Sequence, residues 1–228
     1  MPEVTTLQDI VPPGAVAAEV RAWRGAGRLF PEEEALLGRA TAKRIREFTA
    51  GRTCARRALS GLGLPPAAVL HGPQGAPLWP AGVVGSLTHR ADYAAAVVAR
   101  ADRLDGIGID AEPHAPLPAG LLDRIALPAE RDWVGHHTGS LPGVHWDRLL
   151  FSAKESVYKA CRPLGGRPPG FLDAELTADA GRSSFAVRLS TECGGAGGRL
   201  LLDGRWLVGA GMVVTVVSVP RHGSAAGA

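Results

Sequence analysis

Seven residues, Gly106-Ile107-Gly108-Ile109-Asp110-Ala111-Glu112, alternate with a period of two until Pro113 stops them. Only a β-strand uses that pattern, since successive side chains then point to opposite faces. Trp146 to Cys161 carries the other periodicity: Trp146, Leu149, Leu150, Ala153, Val157 and Ala160 share one face of a helical wheel. Further strand signals stand at Val83-Val84, Tyr93 to Ala99, Phe185/Val187/Leu189 and Met212 to Val219. Asp203-Gly204 between apolar runs reads as a hairpin turn. Helices mixed with antiparallel hairpins make the fold class α+β.

Residues Pro31 to about Leu62 read as a helix, with Glu32, Glu33 and Glu34 at its N-terminus and Gly51 as a possible break. Trp23 and Phe30 are expected core anchors. Hydrophobic residues make up 46% but aromatics only 5%, so the core must rest on Ala, Val and Leu. No apolar run reaches the ~20 residues of a membrane helix, and Met1 to Val4 has no signal-peptide character. Cys54, Cys161 and Cys193 are odd in number and far apart, as expected of a reducing, cytoplasmic setting. The tail after Pro220 is expected to be disordered.

Asp110 and Glu112, two apart on a strand, share a face at a spacing of about 6.5 Å. Two convergent carboxylates suit a hard cation such as Mg²⁺, or simply a solvated strand end. Gly106 and Gly108 leave room on that strand for a close approach. On the second helix Glu155 and Lys159 lie four apart on a stripe with Arg148 and Ser152. That pair is an exposed salt bridge, or one wall of a cleft flanked by Phe151 and Tyr158. A third carboxylate and an ammonium beside a metal site suit phosphoryl transfer. Of 25 basic residues only Lys43, Lys154 and Lys159 are lysine, and two of them lie in this one segment.

On the first helix Arg39, Lys43, Arg46 and Arg57 fall on the polar face. Arg44, Arg52 and Arg56 fall on or beside the packing face, where each needs an internal carboxylate or a ligand phosphate. Gly85-Ser86-Leu87-Thr88-His89 reads as a small-residue turn able to hold a phosphate. The pair His136-His137 with His145 lacks helical metal-ligand spacing.

In order, the motifs are the Arg44 to Arg56 run, Gly75-x-Pro-x-Trp-Pro80, GSLTH, GIGIDAE and FSAKESVYKA. Together they resemble the 4′-phosphopantetheinyl transferases of the Sfp, or enterobactin-synthase-component-D-like, type, over about Pro31 to Phe171. The resemblance implies a pseudo-twofold pair of similar α+β halves with the active site between them. They span residues 1–104 and 105–220, with 221–228 as the tail. It implies transfer of the 4′-phosphopantetheine arm of coenzyme A to a serine of apo acyl or peptidyl carrier proteins of polyketide, peptide or fatty acid synthases. Adenosine 3′,5′-bisphosphate leaves.

By the same resemblance Asp110, Glu112 and Glu155 hold Mg²⁺, and Glu155 receives the serine proton directly or through water. Lys154 and Lys159 lie near the coenzyme A phosphates, and Lys159 neutralises the pyrophosphate. Arg44 and Arg52 grip the nucleotide 3′-phosphate region, and Ser86, Thr88 and His89 form a phosphate-binding turn. Relatives often carry Lys before the Gly-x-Pro segment, where this chain has His71-Gly-Pro-Gln74. The type usually works as a cytoplasmic monomer, with neither nucleic acid nor membrane as partner. Two other readings stay open on the residues alone: a metal-dependent phosphohydrolase of coenzyme A-like nucleotides, and a basic nucleic-acid-binding protein. The latter is poorly served by a net charge of +3 and by aromatics that do not interleave with the basic run.

Overall fold

The structure, a computed structural model, describes residues 6–23, 26–72, 75–90, 92–189 and 200–221. Cys193, Pro73, Gln74 and the tail from residue 222 lie outside the described residues.

A 3₁₀ turn (Leu7–Ile10) leads into β1 (Val16–Arg21), α1 (Pro31–Glu34), α2 (Ala42–Gly61), β2 (Leu70–His71), β3 (Pro77–Leu78), β4 (Val83–Arg90) and β5 (Tyr93–Arg100). Then follow β6 (Leu104–Pro113), α3 (Leu121–Ile125), α4 (Pro128–Ser140), α5 (Trp146–Cys161), β7 (Ala174–Asp179), β8 (Ser184–Leu189), β9 (Leu201–Gly209) and β10 (Met212–Pro220). Two antiparallel sheets result, of order β1-β5-β4 and β6-β10-β9-β8-β7, with β2 and β3 as a separate short ribbon. The α+β class read from the two periodicities is the observed one.

Three apolar clusters account for the layering. Ala50, Cys54, Ala58 and Leu59 of α2 pack on Ala94, Ala96 and Val98 of β5. Leu149, Leu150, Ala153 and Val157 of α5 pack on Val213 and Val217 of β10. Between the sheets Ala95 and Val97 of β5 meet Ile107, Ile109 and Ala111 of β6 and Val214 and Val216 of β10. The small side chains on β5 let both its neighbours come close, so an aromatic-poor core still excludes water.

Strand β6 explains its own glycines. Its Ile face enters the inter-sheet core, while Gly106 and Gly108 face α5. A Cβ at Gly108 would fall on the Ser156 carbonyl, and one at Gly106 on that of Ala160. The close approach left open by the sequence is therefore made by the helix backbone. Beneath the same helix, Thr215 of β10 bonds the hydroxyls of Ser152 at 3.0 Å and Ser156 at 2.7 Å, all three fully buried.

Several local expectations are corrected. The single helix over Pro31–Leu62 is two, because Glu33 turns inward and α2 begins afresh at Thr41, whose hydroxyl accepts from the Arg44 amide at 3.3 Å. Gly51 sits inside α2 without breaking it. The hairpin is not at Asp203-Gly204, which lies within β9; Gly204 is required because the Phe185 ring covers it. The β9–β10 turn is at Ala210-Gly211, both with positive φ. GSLTH is the middle of β4 rather than a turn. Trp23 and Phe30 are only half-buried.

Candidate active site

Helix α2 and strand β4 form one wall of a cleft of about 640 Å³, and the end of α5 reaches it from the other side. Arg44, Arg52, Ser86, His89 and Lys159 all line it, together with Phe48 and Trp79. The three Arg residues on the packing side of α2 separate here. Arg56 finds an internal partner, Glu33, at 2.8 Å. Glu33 is fully buried and also accepts from the amides of Phe30 and Val69. Arg44 lies partly exposed at the cleft, its Nη1 3.2 Å from His89 Nε2. Arg52 is only 5% exposed, and its Nε and Nη2 have no acceptor among the described residues. Burial, partly offset by Glu33, lowers its guanidinium to about 10, so it stays charged at neutral pH. The Phe48 ring lies 4.0 Å from the guanidinium carbon and supports it from one face. A buried cation without an anion marks a place where an anionic ligand fits.

Lys159 joins the cleft to the carboxylates. Its Nζ donates to Asp110 Oδ1 at 2.7 Å and to the Ile109 carbonyl at 3.1 Å. Asp110 is 5% exposed and its other oxygen, Oδ2, is buried with no partner among the described residues. Glu112 accepts from Arg148 Nη1 at 3.0 Å, with Arg90 at 3.7 Å. Burial and then the charge of Asp110 push the Glu112 carboxyl above its ordinary range. Burial, Asp110 and Glu112 do the same to Glu155, with Lys159 opposing. The three carboxylates thus act on one another through their charge. Among the described residues no three acidic, His or Cys side chains close on one point as a finished metal cage. Lys159 bonds Asp110 and Arg148 bonds Glu112 instead. Oxygen donors that repel one another, one with an orphaned buried oxygen, have the chemistry that suits Mg²⁺.

Two expected phosphate contacts do not face the cleft. Lys154 is 3% exposed, and its ammonium donates to Glu130 at 2.7 Å and to the carbonyls of Phe171 and Ala174. All three of its donors are consumed inside the protein, because the wheel position next to the Glu155 stripe points toward α4 and β7. Thr88 turns to β6, accepting from the Ala111 amide at 3.2 Å and donating toward Asp110 at 3.5 Å. It braces the carboxylate strand, while Ser86 and His89 line the cleft with Gly85 and Leu87 of the same motif.

Sequence reasoning placed Arg148 only as a stripe member, yet its guanidinium also donates to the carbonyls of Ala115 and Pro116 and so fixes the chain beyond Glu112. It gave no site role to Phe48, an ordinary apolar helix position, and quoted Trp79 only as a member of the Gly75 to Pro80 motif; Trp79 Nε1 bonds the Gly85 carbonyl at 2.8 Å. Both belong to the cleft through tertiary packing. The pair His136-His137 packs around Trp133 and Trp146 instead of joining the cleft.

Both parts of the chain match known proteins. Residues 32–99 match the 4′-phosphopantetheinyl transferase N-terminal domain and residues 106–196 the 4′-phosphopantetheinyl transferase superfamily. The chain is 51% identical to 4′-phosphopantetheinyl transferase Svp of Streptomyces mobaraensis, across 84% of this chain and 78% of that protein. It is 44% identical to 4′-phosphopantetheinyl transferase Npt of Nocardia iowensis, across 93% and 99%. With 4′-phosphopantetheinyl transferase PptT of Mycobacterium tuberculosis it shares 47% identity, across 82% and 85%.

Proposed function

This chain belongs to the 4′-phosphopantetheinyl transferase superfamily, and from that premise we propose how its residues divide the transfer between them. The reaction moves the 4′-phosphopantetheine arm of coenzyme A onto a serine hydroxyl of an apo carrier protein. The observation that carries the reading is the continuity of the cationic cleft with the carboxylate strand through Lys159.

Arg44 and Arg52 hold the nucleotide end of coenzyme A, with Phe48 and Trp79 as apolar walls. Lys159, already between cleft and carboxylates, neutralises the pyrophosphate. Asp110, Glu112 and Glu155 are the residues that would hold Mg²⁺; when bound there it supplies charge neutralisation to the phosphoryl oxygens. Glu155 takes the serine proton, directly or through a water, as the serine oxygen bonds to the pantetheine phosphorus. The phosphorus–oxygen bond to adenosine 3′,5′-bisphosphate then breaks. Burial and two neighbouring carboxylates raise the proton affinity of Glu155, which suits a base. The Arg148 and Arg90 contacts reserve Glu112 for holding rather than proton transfer.

The halves 1–104 and 105–220 form a pseudo-twofold pair in this reading. It is supported by one helix packed on one antiparallel sheet in each. The chain acts as a cytoplasmic monomer in this reading, in keeping with Cys54 and Cys161 lying buried outside any disulfide among the described residues; no helix among them is long and apolar enough to cross a membrane. Acyl or peptidyl carrier proteins or domains are the partners.

The test is intact-protein mass spectrometry of an apo carrier incubated with this protein, coenzyme A and Mg²⁺, with and without EDTA. The expected result is a mass gain of one phosphopantetheine arm that EDTA abolishes. No gain on several unrelated carriers overturns the assignment.

A further inference from the structure

Helix α5 lies on a part of the sheet that gives it little to grip. Gly106 and Gly108 of β6 offer it bare backbone, and a Cβ at either would strike the helix. Its neighbours on β10 include Val213 and Val217, which meet Ala153 and Val157. Aliphatic packing of this kind is non-directional, so it favours closeness without fixing rotation or register. A polar contact breaks the pattern. Thr215 Oγ1 lies 2.7 Å from the Ser156 hydroxyl and 3.0 Å from that of Ser152, and Ser156 Oγ donates to the Thr215 carbonyl at 3.0 Å. All three residues are fully buried. Their hydroxyl protons close into one consistent set, with Ser156 donating to the carbonyl, Thr215 to Ser156 and Ser152 to Thr215.

The cluster stands beside the carboxylate strand. In the β6–β10 ladder Thr215 is the direct partner of Asp110, so the two side chains share a face of the sheet. On α5, Ser156 follows Glu155, and Lys159, less than a turn further on, donates to Asp110 at 2.7 Å. Ser152 and Ser156 are about one turn apart, yet both reach the same Thr215. A slide of the helix by one turn, about 5.4 Å, would leave only one of them within reach. Hydrogen bonds are directional, so one setting of the helix satisfies the whole cluster.

We propose that Thr215 is a positioning residue for the transfer: with Ser152 and Ser156 it fixes the rotation and register of α5 on β10, and so sets where Glu155 and Lys159 stand relative to Asp110. This rests on reading Glu155 and Lys159 as residues of the transfer site. The aliphatic contacts hold the helix on the sheet, whereas the hydroxyls decide where its charged stripe points. Replacing the whole cluster by apolar side chains leaves no hydroxyl unpaired, so it keeps the stability and loses the alignment.

The test uses three variants of the full-length protein: Thr215→Val, Thr215→Ser, and the combination of Ser152→Ala, Ser156→Ala and Thr215→Val. Each is measured by urea unfolding, calorimetric titration with coenzyme A and steady-state kinetics on an apo carrier. For the triple variant the expected result is a urea midpoint near that of wild type, coenzyme A affinity within about twofold and kcat lower by about tenfold. Thr215→Ser keeps the hydroxyl and should retain most of kcat, whereas Thr215→Val should not. A triple variant with wild-type stability and wild-type kcat would mean that the cluster only fills the core. A fall in coenzyme A affinity equal to the fall in kcat would place the loss in binding rather than alignment; either result overturns the proposal. Should the triple variant be markedly less stable or fail to fold, Thr215→Ser and Thr215→Val are compared per folded molecule, and equal kcat overturns it. If wild type modifies carriers and the variants keep its kcat, only this inference fails; if wild type modifies none, the proposed function itself fails.

Discussion

Lys159 on α5 donates to Asp110 on β6 at 2.7 Å, and this one contact ties the cationic cleft to the carboxylate strand. The ammonium is a quarter exposed, so it is open to a ligand on one side while neutralising Asp110 on the other. Lys159→Met is expected to lower kcat/KM for coenzyme A by about 100-fold, the scale of one lost charge-stabilising donor. Steady-state kinetics with a melting curve checks it. A large fall in melting temperature with near-normal kinetics would mean that the pair is structural.

Lys154 is the contrasting lysine. Its pair with Glu130 is buried on both sides, at 1% and 0% side-chain exposure. Lys154→Met leaves the Glu130 carboxylate uncompensated and is expected to destabilise by about 3–5 kcal/mol in urea unfolding. Adding Glu130→Leu should recover part of that loss, because the uncompensated charge is then gone. A double variant no more stable than the single one would contradict this account.

Glu155→Gln is expected to abolish transfer while coenzyme A still binds, since the carboxylate is needed for the proton and not for the nucleotide. Arg52→Leu should do the reverse. It weakens coenzyme A binding and, by removing an unpaired buried cation, raises the stability of the ligand-free protein by about 1 kcal/mol. Titration calorimetry and urea midpoints separate the two; equal loss of binding in both variants would sink the division of roles.

His89 is held below its ordinary value by burial and then by Arg44. A group with a depressed folded value contributes stability that is complete above its unfolded value, near pH 6.5. That stability is lost as pH falls through the folded value. Urea midpoints between pH 7.5 and pH 5 should therefore decline, and His89→Gln should flatten part of the decline. His71 and His114 are held down in the same sense, whereas Glu112 and Glu155, held up, act in the opposite sense as pH falls.

Gly108→Ala places a methyl group on the Ser156 carbonyl of α5. The helix must move away from β6, taking Glu155 and Lys159 with it. Expected are a stability loss of about 1–3 kcal/mol and a disproportionate loss of transfer in the folded fraction. Unchanged kinetics would show that the helix-to-strand distance does not matter.

Much of this protein is written locally. The alternation from Gly106 to Glu112 and the helical face from Trp146 to Ala160 depend on neighbours in the chain, so strand, helix and the shared face of Asp110 and Glu112 were legible before any coordinates. So was the conflict of Arg52 on a packing face. What lies between distant segments was not. Lys154 and Lys159 are spelled alike, yet one is consumed by Glu130 from α4 and the other meets Asp110 from β6. Gly204 resembles a turn residue and instead makes room for the Phe185 ring. Phe48, Trp79 and His71 become parts of one cleft only when α2, β2 and β4 pack together. Period and propensity are properties of adjacent residues, whereas the partner of a buried charge is settled by which elements close over it.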